Sequence, residues 1–163
     1  PDSAKATPNG WIQCLKSFDA QACFYGSFEF NMEDTNGSPD MHFLFGDISG
    51  RDRNYFYVAI SGTRKRDLHE MFTVAGEHRT LFARPTVLSD IMPEVWYRFL
   101  FQFIPSQGTT GYFTYKVTDV EGRNTYLTME SKEITLPDTV RFGLGTKDNV
   151  VRFDNVKIFA SSE

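Results

Sequence analysis

The sequence predicts an all-β fold. Its 163 residues include sixteen Phe, seven Tyr and two Trp, and aromatic residues favour strands. Runs in which apolar and polar residues alternate are separated by short clusters of Gly, Asn, Asp and Pro, as in antiparallel strands joined by turns. Roughly eleven such runs are visible, which is enough for two stacked sheets, and no extended helical periodicity interrupts them.

The length predicts one domain. A chain of this size buries roughly 70% of the surface of its extended form, so a full apolar core can form without disulfides. Residues 1–10, PDSAKATPNG, are polar with two prolines and predict a linker or an irregular edge. Residues 11–163 are then a single domain, because no internal repeat and no linker divides them.

Alternation assigns the faces of the strands. Strands are predicted at 11–15, 22–32, 41–46, 55–61, 70–74, 78–82, 95–103, 112–118 and 126–130, with an irregular region at 85–93. The inward residues are mostly Phe: Phe24, Phe28, Phe30, Met32, Phe43, Phe45, Phe56, Val58, Ile60, Tyr97, Phe99, Phe101, Phe103, Phe113, Tyr115 and Val117. The opposite rows hold Tyr25, Ser27, Glu29, Asn31, His42, Leu44, Tyr55, Tyr57, Ala59, Ser61, Trp96, Arg98, Leu100, Gln102, Tyr112, Thr114 and Lys116.

The end of the chain predicts a β-hairpin. Residues 140–160 read VRFGLGTKDNVVRFDNVKIFA, in which two apolar alternations flank a polar Thr-Lys-Asp-Asn turn. Phe142 and Leu144 supply the inward residues of the first strand, and Val156 and Ile158 those of the second. We therefore expect the two strands to pair with each other and to face the core.

The charge excludes some partners. The formal net charge is −4, which gives no general reason to expect a nucleic acid or an acidic membrane as partner. Residues 51–84 form a basic exception with seven Lys or Arg against four acids. These bases are Arg51, Arg53, Arg64, Lys65, Arg66, Arg79 and Arg84.

No apolar run approaches the roughly 20 residues of a membrane-spanning helix. Because the chain begins at Pro1, we expect processing or excision from a longer protein.

Several stretches together resemble a known fold group. The segments YGSFEFNMED, MHFLFGD, NYFYVAISG and VWYRFLFQF, with the closing GLGTKDNVVRFDNVKI, resemble the strands of concanavalin A-like jelly rolls. This group includes lectins, glucanases, laminin-G-like domains and many secreted carbohydrate-binding modules. The resemblance implies a two-sheet antiparallel jelly-roll β-sandwich in a secreted or cell-surface protein. It is specific for the fold and not for one activity, because one fold hosts many functions.

An enzyme of this fold is the main alternative to a binding module. Laminarinase-type members carry a Glu-x-Asp-x-x-Glu strand, whose nearest counterpart here is Glu29 to Glu33, without the Asp. The strand motifs of alginate lyases, Arg-x-Glu-Leu-Arg and Gln-Ile-His, are absent. His42, His69 and His78 match no compact zinc pattern. A laminin-G-like domain that binds proteins in adhesion is a third possibility.

The outward rows favour a carbohydrate ligand on the concave sheet face. Sugars present apolar C–H faces to aromatic rings and hydroxyls to planar polar side chains. The predicted ligand-binding residues are His42, Tyr55, Tyr57, Arg64, Arg98 and Gln102. Arg64 belongs to a basic loop at 61–67, SGTRKRD, whose guanidinium groups suit the carboxylates or sulfates of an anionic polysaccharide. Replacing Tyr57 or Arg98 by Ala is expected to weaken binding and to leave stability nearly unchanged.

Two further features leave alternatives open. In many secreted members of the resembling group, the Asp of a closing Phe-Asp-Asn-Val-like motif binds a structural calcium, a role that falls on Asp154. In calcium-free members this Asp bonds backbone amides in the turn instead. Cys14 and Cys23 are the only cysteines and form either a disulfide or two buried thiols.

Overall fold

The fold was determined as a computed structural model, which describes residues 4–6, 11–13, 16–33, 40–48, 53–62, 69–147 and 150–161. This part of the chain contains fourteen strands and no helix, and therefore no helix that could span a membrane. The strands are β1 (Ala4–Ala6), β2 (Trp11–Gln13), β3 (Phe18–Asp19), β4 (Cys23–Met32), β5 (Asp40–Asp47), β6 (Asn54–Ser61), β7 (Glu70–Ala75), β8 (His78–Ala83), β9 (Thr86–Val87), β10 (Trp96–Gln107), β11 (Thr110–Asp119), β12 (Thr125–Thr135), β13 (Thr139–Lys147) and β14 (Val151–Ser161).

The strands form two antiparallel sheets. Sheet A has the order β1-β14-β4-β10-β11-β12-β9, and sheet B has the order β2-β13-β5-β6-β7-β8. The short strand β3 joins sheet B by pairing with β13. The predicted jelly-roll β-sandwich is confirmed. Ala4–Ala6, within the segment predicted as a linker or an irregular edge, pair with β14 at the edge of sheet A.

Phenylalanine rings from sheet A and sheet B pack against each other in the core between the two sheets. Phe45 of sheet B stacks on Phe113 of sheet A with ring centroids 4.5 Å apart. The rings of Phe43 and Phe101 lie 4.7 Å apart and are tilted by 38°. Such pairs contribute about 0.5–1.5 kcal/mol each beyond the burial of their area. The sixteen inward residues that alternation predicts between Phe24 and Val117 are all buried in this core.

The predicted closing hairpin is wrong. β13 lies in sheet B, where it pairs with β2, β3 and β5, whereas β14 lies in sheet A and pairs with β1 and β4. The chain therefore crosses between the sheets after β13. Each strand has one buried face whether the two strands lie in the same sheet or in opposite sheets. Alternation alone therefore does not reveal the crossing.

A β-bulge also changes which residues of β14 face inward. The register shifts between Asp154 and Lys157, and Asn155 adopts a left-handed backbone with φ 50°. The inward residues before the bulge are Val151 and Phe153, both fully buried. Val156, which alternation assigned to the core, is about half exposed, while Ile158 packs against the core as predicted. An extra residue in one strand reverses the alternation beyond it.

Candidate functional site

The outer face of sheet A holds cross-strand rows of polar and aromatic side chains. Gln102 of β10 lies directly opposite Tyr25 of β4 on one side and Thr114 of β11 on the other. The next row contains Ser27, Leu100, Lys116 and Thr128 from β4, β10, β11 and β12. Directly opposed side chains on one face are about 5 Å apart, so each row forms a continuous surface.

These two rows line a groove with a volume of about 370 Å³. Its lining residues are Tyr25, Gly26, Leu100, Phe101, Gln102, Thr114, Tyr115, Lys116 and Thr128. Leu100 supplies an apolar patch, and Gln102 and Lys116 are exposed beside it. The hydroxyl of Thr114 donates to the Met129 carbonyl at 2.7 Å, which leaves its oxygen able to accept a further hydrogen bond.

Gly26 provides the close strand packing beneath this groove. A Cβ at this position would lie 2.5 Å from the Lys157 carbonyl oxygen and 2.7 Å from a ring carbon of Phe101. The aromatic ring therefore occupies the space that a side chain on β4 would need. Glycine here allows β14, β4 and β10 to pack closely under the groove.

One end of the groove is bounded by an exposed aromatic pair. Tyr25 and Phe159, which face each other on β4 and β14, stack with ring centroids 5.2 Å apart. Tyr25 is 48% exposed and Phe159 is 49% exposed. Stacking limits the orientations of the Tyr25 ring while leaving part of it open to a ligand.

Arg98 lies one row beyond the groove and is engaged in an ion pair. Its Nη2 donates to Glu29 Oε1 at 2.7 Å and its Nε to the same oxygen at 3.3 Å. Asn155 Nδ2 donates to Glu29 Oε2 at 2.8 Å. Burial raises the pKa of Glu29, but the hydrogen bonds from Arg98 and Asn155 and the charges of Arg98 and Lys157 hold it below its usual value. This network fixes the bulge of β14 against β4.

The described residues around Asp154 do not fit a calcium site on their own. Asp154 Oδ1 accepts a hydrogen bond from the Asn155 amide at 2.7 Å. Its cross-strand neighbour Glu29 is already paired with Arg98. Within the described ranges, no group of three or more His, Cys, Asp or Glu side chains could hold a metal ion. The N-terminal oxygen ligands that the resemblance implies lie largely outside these ranges.

The outer face of sheet B carries a different cluster. Tyr57 Oη and His42 Nε2, on neighbouring strands, are hydrogen-bonded at 2.7 Å, and these residues are 8% and 2% exposed. The Arg79 guanidinium lies 3.6 Å from the centroid of the Phe72 ring and 4.9 Å from that of the Tyr57 ring. Burial raises the pKa of Tyr57 well above its usual value, despite the positive charge of Arg79. The Tyr57 hydroxyl is therefore protonated at neutral pH.

The predicted ligand-binding residues are divided between the two outer faces. His42, Tyr55 and Tyr57 lie on sheet B, whereas Arg98 and Gln102 lie on sheet A. Arg64, Lys65 and Arg66 lie outside the described residues, as does Cys14, so the disulfide and the two-thiol alternatives for Cys14 and Cys23 both stay open. A single groove that contains all of these side chains is not formed. Their roles in binding stay predictions.

The sequence reasoning did not select four residues that the structure brings to these sites. Tyr25, Thr114 and Lys116 line the groove, and Arg79 covers the rings on sheet B. Alternation had placed the first three on outward rows. Only the pairing of β4, β10 and β11 identifies them as neighbours of Gln102.

Comparison with solved structures identifies the fold. The carbohydrate-binding module CBM66 from Bacillus subtilis superposes with a TM-score of 0.63 at 16% identity, over 97% of this chain and 83% of that one. Sheep galectin-11 gives a TM-score of 0.62 at 10% identity, over 98% of both chains. An endo-β-1,4-glucuronan lyase from the fungus Trichoderma reesei gives 0.60 at 12% identity, over 96% of this chain and 79% of that one.

These similarities define the class of fold. The chain has the concanavalin A-like jelly-roll fold that its strand pattern resembles. No protein-family model matches the sequence, and no curated protein matches it by sequence. Because the identities are low, the similarity is one of fold and leaves function to the chemistry of the site.

Proposed function

We propose that this protein binds carbohydrate, without catalysis, in the groove on the outer face of sheet A. The observation that carries the proposal is the half-exposed ring of Tyr25 beside Gln102, Thr114 and Lys116 in one groove. An aromatic ring stacks on the apolar face of a sugar, while amide, hydroxyl and ammonium groups bond its hydroxyls. A carbohydrate-binding module and a galectin among its structural neighbours support this class of ligand.

Two lysines favour a polysaccharide that carries carboxylate or sulfate groups. Lys116 lines the groove, and the exposed Lys157 lies in the same cross-strand row, separated from it by Ser27 and Leu100. An ammonium group attracts anions as a point charge, and at an exposed site salt screens this attraction. We therefore propose a preference for anionic chains that weakens as ionic strength rises.

The direct test is affinity electrophoresis and calorimetry with a panel of neutral, uronate-containing and sulfated polysaccharides. Tyr25→Ala and Gln102→Ala should each weaken binding by about 1 kcal/mol or more, roughly fivefold or greater. Gln107→Ala is the matched control, because Gln107 is exposed on the same strand outside the groove. A folded protein that binds none of the panel would overturn the proposal, and a protein partner would then favour the adhesion alternative.

A specific observation favours an enzyme as the second candidate. Tyr57, His42 and Arg79 converge on sheet B, and one structural neighbour is described as a glucuronan lyase. In β-elimination, a base removes the proton beside the uronate, the neighbouring C–O bond breaks, a C=C bond forms and an acid protonates the leaving oxygen. The Tyr57 hydroxyl and His42 are the hydrogen-bonded pair that would exchange the proton, and Arg79 suits the uronate carboxylate. The raised pKa of Tyr57 makes it a weak acid, which counts against this candidate. The burial of Tyr57 and His42 restricts access of a substrate to them.

The enzyme candidate has its own test. Incubation with polyuronates, followed by ultraviolet absorbance of unsaturated uronate ends, would detect a lyase, and a reducing-end assay would detect a hydrolase. If product formation is lost in Tyr57→Phe and kept in Tyr25→Ala, catalysis takes place on sheet B. No product in any assay would remove this candidate.

Two expectations from the sequence stay proposals. If Asp154 binds calcium, chelation should lower the melting temperature of the wild type and leave that of Asp154→Asn unchanged. An equal change in melting temperature for both proteins would show that Asp154 is not a calcium ligand. We also propose a secreted or cell-surface location, because polysaccharide ligands are found mainly outside the cell.

A further inference from the structure

Four exposed apolar residues of sheet A form a strip. Phe159, Tyr25, Ile104 and Tyr112 are 49%, 48%, 48% and 46% exposed. Phe159 faces Tyr25 across β14 and β4, and Ile104 faces Tyr112 across β10 and β11. Gln102 lies opposite Tyr25. Gln102 and Ile104 are successive outward residues of β10. The four apolar side chains thus occupy two adjacent rows on one face.

This apolar strip spans four neighbouring strands. The order β14-β4-β10-β11 places Phe159 on the first and Tyr112 on the fourth. Adjacent strands are about 4.8 Å apart, so the strip is roughly 14 Å long across the sheet. That distance exceeds the width of one sugar ring. A single terminal sugar on Tyr25 could not also contact Tyr112.

The charge pattern along the apolar strip suits a carbohydrate chain. Gln102 and Thr114, which lie between the aromatic ends, are uncharged hydrogen-bonding groups. The lysines lie in the next row, and the acid Glu133 lies opposite Tyr112 at the far end. Apolar rings beside uncharged polar groups match the ring faces and hydroxyls that repeat along a polysaccharide.

We propose that the apolar strip holds the interior of an extended polysaccharide chain, which crosses the strands from Phe159 and Tyr25 to Tyr112. This inference rests on the proposed binding function and adds the form of the ligand, a chain segment rather than a chain end. Each additional sugar along the apolar strip finds a further ring or polar group, so affinity increases with chain length until the strip is filled.

The test uses β-1,4-linked glucose and β-1,4-linked glucuronic acid oligomers, from the disaccharide to the hexasaccharide, in calorimetric titrations. Whichever series binds, the hexasaccharide should bind at least about tenfold more tightly than the disaccharide, which corresponds to about 1.4 kcal/mol. Tyr112→Ala should remove most of this gain and leave disaccharide binding unchanged. Leu88→Ala, 56% exposed and outside the apolar strip, is the matched control.

The outcomes separate this inference from the proposed function. Binding that is independent of length, or a Tyr112→Ala variant that retains the full gain, would overturn the inference while carbohydrate binding stands. Reduction of the sugar at the reducing end should leave hexasaccharide binding unchanged, and loss of binding would indicate recognition of a chain end. If neither series nor any polysaccharide of the panel binds, the proposed function itself fails.

Discussion

Arg98 and Glu29, directly opposite each other on β10 and β4, form a partly buried ion pair in which Nε and Nη2 of Arg98 both donate to one carboxylate oxygen. Side-chain exposures of 35% and 13% place the pair between the surface and the core. The same carboxylate accepts a hydrogen bond from Asn155 at the bulge of β14. Glu29 of β4 therefore links Arg98 of β10 to Asn155 of β14.

Arg98→Ala should destabilise the protein and leave glycan affinity largely unchanged, which differs from the expectation based on sequence. Loss of hydrogen bonds to a charged partner costs about 1.5–3 kcal/mol. Arg84→Ala is the matched control, because Arg84 pairs with Glu70 and is 59% exposed. Removal of such a surface pair costs about 1 kcal/mol or less. Equal effects of the two variants in urea denaturation would contradict the structural role of Arg98.

The Glu29 pair should make stability depend on pH in the acid range. Because the pKa of Glu29 in the folded protein lies below the ordinary value of 4.5, ionisation stabilises the fold. This contribution is complete above that value and is lost as the pH falls through the lowered pKa. The difference in melting temperature between wild type and Glu29→Gln should therefore be constant near neutrality and shrink below pH 4.5. In an Arg98→Ala background the pH dependence should be smaller, and an unchanged dependence would contradict this explanation.

Gly26→Ala should be strongly destabilising. The new Cβ would lie 2.5 Å from a backbone oxygen and 2.7 Å from the Phe101 ring, so β14 or the core must shift. Overpacking of this kind costs about 1–3 kcal/mol or more. Gly108→Ala is the control, since no heavy atom lies near its Cβ position and only its φ of 58° opposes the change. Thermal unfolding that ranks Gly108→Ala as the more harmful would contradict the packing beneath the groove.

Tyr57→Phe should lower stability and leave binding in the sheet A groove intact. The substitution removes the buried hydrogen bond to His42, a loss of about 1–3 kcal/mol when one buried partner stays behind. Chemical denaturation and glycan titration on the same sample would separate the two effects. A stable variant without glycan affinity would instead place the ligand on sheet B.

Tyr115 and Tyr97 should respond in opposite directions to replacement by Phe. The Tyr115 hydroxyl is buried, and no described residue forms a hydrogen bond with it, whereas the Tyr97 hydroxyl accepts the Met92 amide at 3.0 Å. Burial of an unpaired hydroxyl costs about 1–3 kcal/mol. We expect Tyr115→Phe to raise the melting temperature and Tyr97→Phe to lower it. A destabilising Tyr115→Phe would show that its hydroxyl has a partner in solution.

The strand interiors could be predicted with few errors, because burial requires a period of two along a strand. The row of Phe24, Phe28 and Phe30 is buried as predicted, and Tyr25 is exposed on the opposite face. The prediction failed where this period breaks, and on the outer face of sheet B, where His42 and Tyr57 are buried although alternation placed them opposite the core. The bulge at Asn155 exposes Val156, and no sequence signal distinguishes a bulge there from a continuous strand.

The two-layer β architecture and the residues between its layers follow from the sequence, because local alternation decides which face of each strand is apolar. Which strands are neighbours emerges only in the folded structure. It separated β13 from β14, placed Tyr57 and Arg98 on opposite outer faces, and brought Tyr25, Gln102 and Thr114 into one row. Strand order depends on packing between residues far apart in the chain, and a period of two carries no information about it.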